Sequence, residues 1–209
     1  MTDQGLTAKV YDDSDKSEID PFELFEEWFE EAKNTEVNDP NAMALASVDA
    51  SGMPDVRVML MNGRDKRGFI FFTNLESAKG QELKANPKAA AVFHWKALRR
   101  QVRVRGPVEQ VSPELADTYF ATRPLGSRVG AHASKQSRPL ENREQLIART
   151  REIEQKFGDD VPRPKHWSGF RILPLEIEFW KDGEFRLHDR VVFQRAHQDE
   201  KWKRVRLNP

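Results

Sequence analysis

A mainly β fold with flanking helices, built as a closed or partly closed antiparallel barrel, is what this 209-residue chain predicts. From Ala42 onward, short apolar or alternating runs are separated by turn residues at strand-like intervals. The helical stretches between them do not alternate strand for strand as βαβ units do. Near the C-terminus, Asp182-Gly183 sits between two long apolar runs as a hairpin signal.

Composition narrows the function classes. Hydrophobic residues make up 38% of the chain and charged residues 33%, enough for one sizeable core under a well-hydrated surface. No apolar run approaches the roughly 20 residues that a membrane helix needs. The first residues lack the basic start and apolar stretch of a secretory signal, and there is no cysteine, so a cytoplasmic protein without disulfides is expected. Thirty-four basic and 34 acidic residues cancel, so anion binding has to come from local clusters.

Residues 1–19, polar and acidic, read as a flexible N-terminal arm, and residues 20–209 as a single domain. Asp20 caps a helix over about 21–34, with Pro21 at its first position and Phe22, Phe25, Phe29 and Ala32 at helical spacing. The runs AMALASV, DVRVMLMN and FIFFTN then read as a three-strand antiparallel meander. A short helix spans SAKGQELKAN, and AAAVFHW and RQVRVRGPVEQV are two further strands. Helices follow near 113–123 and 141–157. Two long strands, FRILPLEIEFWKD and FRLHDRVVFQRA, and then KWKRVRL complete seven or eight strands.

The common signatures of hydrolases and nucleotide-binding proteins are absent: no cysteine nucleophile, no HExxH, no Walker loop, no glycine-rich strand-to-helix turn. Histidines 94, 132, 166, 188 and 197 are not spaced as a metal-binding pair, and no metal site is expected. What remains is basic residues within strands. Alternation sets Arg57, Met59 and Met61 opposite Val56, Val58 and Leu60, and Gln101, Arg103 and Arg105 opposite Val102 and Val104. Any one such arginine reads as a solvated face. Several of them beside a helix start carrying Ser77 and Lys79 read as a phosphate pocket. Tyr119, Arg123 and Ser127 recur every four residues, on a helix and the loop expected to follow it, either as an ordinary helix surface or as a phenol, a guanidinium and a hydroxyl around a phosphomonoester. In IEFWKDGEFRLHDR, strand alternation places Arg186, His188 and Arg190 on one face near Trp180, with Leu187 and Asp189 on the other. That is either a polar barrel exterior or a site for an anionic aromatic ligand.

With these segments in order, the chain resembles the pyridoxine/pyridoxamine 5'-phosphate oxidase family from about Asp20 to Pro209. The matching segments are PNAMALASVD, DVRVML, FFTNLESAKGQEL, RRQVRVRGPVE, YFATRPLGSRVGAHASKQS, PRPKHWSGFRILPLEIEFW and FRLHDR. The resemblance implies a split β-barrel homodimer with flavin mononucleotide (FMN) at the subunit interface. It implies FMN contacts from Arg57, Val58, Met59, Leu60, Phe72, Thr73, Lys79, Gln101, Gln136, Ser137, Trp180 and Arg190. It places Asn62, Tyr119, Arg123 and Ser127 at the substrate phosphate, and Arg186, Leu187 and His188 at the pyridine ring, with Arg186 and His188 as the catalytic pair. The implied reaction transfers hydride from the substrate C4' to the flavin, giving pyridoxal 5'-phosphate, with O2 reduced to H2O2.

Three positions depart from the family pattern. Asn62 stands where the family usually has lysine, His132 where many members have tryptophan, and Ala78 where many have arginine. Asn62 brings no charge, a loss worth about 1.5–3 kcal/mol of phosphate affinity unless Arg64 or Lys66 substitutes. His132 is expected to alter the pocket wall. The rival readings are a related FMN oxidase of the phenazine-biosynthesis kind, a flavin or pyridoxal phosphate carrier, and a single-stranded nucleic-acid binder built on His94, Trp95, Arg99 and Arg100.

Overall fold

The computed structural model describes residues 5–15 and 17–209. In chain order the elements are α1 (Leu6–Tyr11), α2 (Pro21–Thr35), β1 (Ala42–Val48), β2 (Pro54–Leu60), β3 (Gly63–Asp65), β4 (Gly68–Asn74), α3 (Ala78–Ala85), β5 (Lys88–Trp95) and β6 (Arg100–Gln110). They continue with α4 (Pro113–Thr122), α5 (Leu125–Ala133), α6 (Arg143–Phe157), β7 (Trp167–Ile172), β8 (Glu176–Lys181), β9 (Asp189–Gln194) and β10 (Lys203–Leu207).

Every strand pair is antiparallel, and the main path runs β10-β9-β8-β6-β5-β1-β2. β6 divides its partners: Arg100–Arg105 pairs with β8, and Val108–Gln110 with β7. Between the two stretches lies Gly106, where a Cβ would sit 2.1 Å from the Leu173 carbonyl oxygen, so only glycine allows the crossing. β7 pairs with β4 and β4 with β3, while the Asn62 N–H donates to the Ile70 carbonyl at 2.8 Å just past β2. The result is a curled, split barrel with β8, β9 and β10 carried beyond it, in agreement with the predicted mainly β fold.

α2 closes the core. Asp20 caps it by accepting from the Phe22 N–H at 2.8 Å; Phe25, Phe29 and Ala32 turn inward as their spacing predicts, joined by Leu24 and Trp28, while Phe22 is only partly buried. Phe25 meets Phe69 and Phe93 edge-on at 4.8 and 5.1 Å, and Trp28 meets Phe179 at 5.2 Å. β4 is buried along its whole length because Phe69 and Phe71 face this core, whereas Ile70 and Phe72 face a second cluster with Phe120 and Trp167. That double burial explains its unbroken apolar run.

Several expectations are corrected. The predicted meander is interrupted: the chain breaks from strand geometry at Met61-Asn62, and β4 pairs with β3 and β7 instead of β2. The run predicted as one strand, FRILPLEIEFWKD, splits at Pro174, where the N–H groups of Leu173 and Leu175 turn to the carbonyls of Pro107 and Arg105. FRLHDRVVFQRA becomes a strand only at Asp189. Leu125–Ala133 forms a helix where a loop was expected. The segment before Asp20 reaches the core: Val10 and Ile19 are buried, and Glu27 accepts from the N–H groups of Leu6 and Thr7 at the start of α1. Residues 1–4 and 16 of the predicted arm lie outside the described residues.

Candidate active site

A pocket of about 540 Å³ opens between β2, β4, α4 and α5. Its lining joins Val58, Met59, Leu60, Asn62, Phe72 and Thr73 from the sheet to Tyr119, Arg123, Ser127 and Gln136 from the helical side. Tyr119 lies on α4, Arg123 is its C-cap, and Ser127 stands on the first turn of α5. The four-residue recurrence therefore converges through a helix-to-helix turn. Phe72, Tyr119 and Trp167 stack within 4° of parallel, with Phe72 centred 4.2 Å from Tyr119 and 5.2 Å from Trp167. The Arg123 guanidinium lies over Trp167 at 4.8 Å and Phe120 at 5.5 Å.

Arg123 alone is charged among the described residues that line this pocket. Its Nη1 is buried without a hydrogen-bond partner. Burial pushes the guanidinium below its ordinary pKa, with Tyr119 opposing the shift. A desolvated cation with an orphan donor is stabilised by an anion placed in the pocket. Asn62 accepts weakly from the Phe72 N–H at 3.4 Å through its carbonyl oxygen. The two cations proposed to replace a lysine there do not line the pocket. Arg64 forks onto the Glu26 carboxylate and covers Phe29, and Lys66 is exposed in the β3–β4 turn. His132 does not line it either, because its Nε2 lies 2.6 Å from the Pro162 carbonyl, with the ring against Phe157.

A second cationic group adjoins the pocket through Gln136. The Gln136 Oε1 lies 3.4 Å from the Lys79 Nζ and 3.5 Å from the Thr73 hydroxyl. Lys79 is buried at the start of α3 next to Ser77, whose side chain caps that helix. Burial, then the nearby Arg57 guanidinium, holds Lys79 below the usual lysine pKa, with Glu82 and Asp55 opposing. Arg57 lies on the inner face of β2, opposite Val56 and Val58 as the alternation sets it, although a lone strand arginine reads as solvated; it pairs with Glu82 at 3.0 Å and Asp55 at 2.5 Å. Ser137 follows Gln136 with a left-handed backbone, φ 69°. Ala78 is exposed on the first turn of α3 and adds no cation.

The remaining predicted residues form a separate cluster across the sheet. Gln101 on β6 faces Trp180 on β8, which faces Arg190 on β9. Trp180 also packs against His188, with ring centres 4.7 Å apart. The His188 Nδ1 is 3.1 Å from the Asp182 carboxylate and 3.2 Å from the Gly183 N–H. Glu178, buried to 2% exposure, accepts from Arg190 at 2.8 Å and Arg103 at 2.7 Å, which raises the Arg190 pKa. The predicted strand face of Arg186, His188 and Arg190 does not exist. Lys181 pairs with Asp189, so residues 182–188 form a loop, and Phe185 and Arg186 adopt left-handed backbones at φ 54° and 65°. Arg186 and Leu187 are exposed there and line none of the pocket.

Sequence reasoning missed Trp167, Glu82, Ser47 and Glu178. Trp167 lies far from Tyr119 in the chain and reaches it only through the β4–β7 pairing, and the three polar residues carry no motif. A second open pocket of about 570 Å³ includes Ser47, Lys88 and the strand residue Arg105, but none of the residues implied at the FMN or substrate site.

Comparison with known proteins supplies the lineage. The family model described as pyridoxamine 5'-phosphate oxidase matches residues 29–157. A second model, the pyridoxine 5'-phosphate oxidase C-terminal dimerisation region, matches residues 167–209. The chain belongs to the pyridoxine/pyridoxamine 5'-phosphate oxidase family. Relatives bearing that name include one from Azorhizobium caulinodans, 60% identical over 91% of this chain and 90% of its own length. Another, from Agrobacterium fabrum, is 54% identical over the full length of both chains. Among solved structures, PhzG from Burkholderia lata, in complex with tetrahydrophenazine-1-carboxylic acid, superposes with a TM-score of 0.87. It is 33% identical and covers 95% of this chain and 96% of that one. An FMN-binding protein from Nostoc punctiforme shares the family fold at a TM-score of 0.75 and 16% identity, covering 92% of this chain and all of its own. Among the described residues, no helix is long and apolar enough to cross a membrane.

Proposed function

We propose that this chain is a cytoplasmic FMN-dependent oxidase that converts pyridoxamine 5'-phosphate and pyridoxine 5'-phosphate to pyridoxal 5'-phosphate, working as a homodimer with residues 20–209 as its cofactor-binding domain. The observation that carries the substrate reading is the buried, unpartnered Arg123 Nη1 beside Tyr119 and Ser127 in the pocket. A phosphomonoester satisfies that donor and takes direction from the phenol and the hydroxyl.

Lys79 and Arg57 fit the phosphate of FMN. Both are largely withdrawn from water, and Lys79 meets only a long 3.4 Å contact to a neutral amide. Val58, Met59, Leu60, Phe72, Thr73 and Gln136 border the space beside them, which suits a planar ring system. Bound there, FMN supplies the redox chemistry, accepting hydride from the substrate carbon and passing electrons to O2 to give H2O2.

Arg186, Leu187 and His188 do not line the pocket that holds Arg123. Phe185 and Leu187 are 90% and 70% exposed, and Val56 and Val58 on the edge strand β2 are 64% and 71% exposed. Apolar surface on both halves supports a dimer in which the loop of one chain meets the pocket of the other. The C-terminal dimerisation region matched by residues 167–209 includes that loop. In such a site Arg186 and His188 orient the pyridine ring, His188 moves a proton at Nε2 while its Nδ1 stays on Asp182 and Gly183, and Gln101, Trp180 and Arg190 complete the flavin enclosure.

A second reading, an FMN oxidase acting on a phenazine precursor, is favoured by the neutral Asn62 and by the likeness to the phenazine-bound PhzG. One set of measurements separates the two: the visible spectrum of the purified protein, FMN binding, and peroxide release with each phosphorylated vitamer. A flavin spectrum with turnover of either vitamer supports the first reading. Flavin binding without vitamer turnover favours the second, and failure to bind added FMN sinks both.

A further inference from the structure

Arg57 is held by a buried device that no family assignment requires. Its Nη1 donates to the Ser47 hydroxyl at 2.5 Å and, at 3.4 Å, to the Leu45 carbonyl; its Nη2 donates to Glu82 and to Asp55. Ser47 is 1% exposed and donates its own proton to the Glu82 Oε2 at 2.5 Å, so the hydroxyl can only accept from Arg57. Glu82 in turn is carried by α3, three residues after Lys79. Asp55, by contrast, is more than half exposed, and its contact is a rim ion pair that solvent screens.

Two cations side by side repel, and an arginine at the tip of a strand residue is free to swing away. The Ser47–Glu82 pair prevents this from beneath the sheet: it ties β1, β2 and α3 together and fixes the guanidinium in one plane. We propose that Ser47, oriented by Glu82, is a positioning residue that presents Arg57 to the phosphate end of the cofactor. This rests on the cofactor site assigned above. Preorganisation matters because an arginine that must first be immobilised gives up part of its binding energy to that ordering.

The test measures FMN and riboflavin binding to flavin-free protein by quenching of flavin fluorescence. Riboflavin lacks the phosphate, so the ratio of the two affinities reports the phosphate contacts alone. Ser47→Ala is expected to lower the FMN-to-riboflavin ratio about tenfold, with riboflavin affinity unchanged. In an Arg57→Ala background the same substitution leaves the ratio where Arg57→Ala has put it. Ser47→Thr keeps the hydroxyl that accepts from Arg57 and donates to Glu82, so it retains the wild-type ratio. A Ser47→Ala protein with unaltered discrimination, or one that loses FMN and riboflavin affinity equally, overturns the proposal. So does an equal effect of Ser47→Ala with and without Arg57. If Arg57→Ala itself leaves discrimination intact, the cofactor site has been misplaced, which is a different failure.

Discussion

Arg123 and Arg186 are both assigned to the substrate, yet the fold treats them in opposite ways. Arg123 is packed over two aromatic rings at a helix C-cap, lines a preformed pocket and carries a buried, unpartnered donor. Arg186 stands on an exposed left-handed turn between Phe185 and Leu187, in a loop anchored only at its ends. A left-handed backbone at two consecutive non-glycine residues costs of order 1–3 kcal/mol each, which an isolated loop has little reason to maintain. The pocket half is thus preorganised by its own core, and in the proposed dimer the loop half meets a second surface. The contrast points to a site divided between two chains.

Substitutions probe this contrast, beginning with the largest expected effect. Arg123→Ala removes the charge-assisted hydrogen bonds to the substrate phosphate, and kcat/KM for pyridoxine 5'-phosphate should fall by roughly 100- to 1000-fold, about 3–4 kcal/mol, in a peroxide-release assay. An effect under tenfold would show that the phosphate lies elsewhere. Glu178→Ala removes the buried carboxylate from Arg190 and Arg103, which are themselves partly exposed, and should lower stability by about 1–2 kcal/mol in urea unfolding. Ser127→Ala, at the exposed mouth of the pocket, should change it by less than about 0.5 kcal/mol. Equal effects would erase the distinction between a braced sheet and an open pocket.

Asn62→Lys returns a cation to a pocket whose lining holds only Arg123, and should lower KM for the phosphorylated substrate up to about tenfold. An unchanged KM would mean that Arg123 already saturates the phosphate. The smallest effect concerns pH. Phosphate binding favours protonated Lys79, whose pKa in the free protein is depressed by burial and by Arg57. FMN affinity should therefore weaken as pH rises through that depressed value, below the ordinary lysine range, and Lys79→Arg should abolish the step.

The two halves were also unequally legible in the sequence. The capping Asp20 and the phenylalanine spacing of α2 and the buried Val102 and Val104 follow from local periodicity, and the structure agrees; on β2 periodicity separates Arg57 from the valines but does not show that the arginine face is the inner one. Tyr119, Arg123 and Ser127 were visible as a recurrence, but their convergence depends on α5, which begins after Pro124 where a loop was expected. The loop half was misread for a physical reason. Alternating Arg186, His188 and Arg190 mimic a strand face, whereas Gly183 lets the chain fold so tightly that a Cβ there would lie 2.1 Å from the Leu187 carbonyl oxygen. Local pattern carries no sign of that closure, nor of the buried Glu178 that holds Arg190.

The division of the site between two chains is tested most directly by subunit complementation. Arg123→Ala and Arg186→Ala proteins, each nearly inactive as homodimers, are co-expressed with different affinity tags, and the mixed dimer is purified through both. A site shared between chains leaves one intact pocket facing one intact loop, and the mixed dimer should recover about half of the wild-type activity per dimer. A mixed dimer as inactive as its parents would place pocket and loop in the same chain's site and contradict the account.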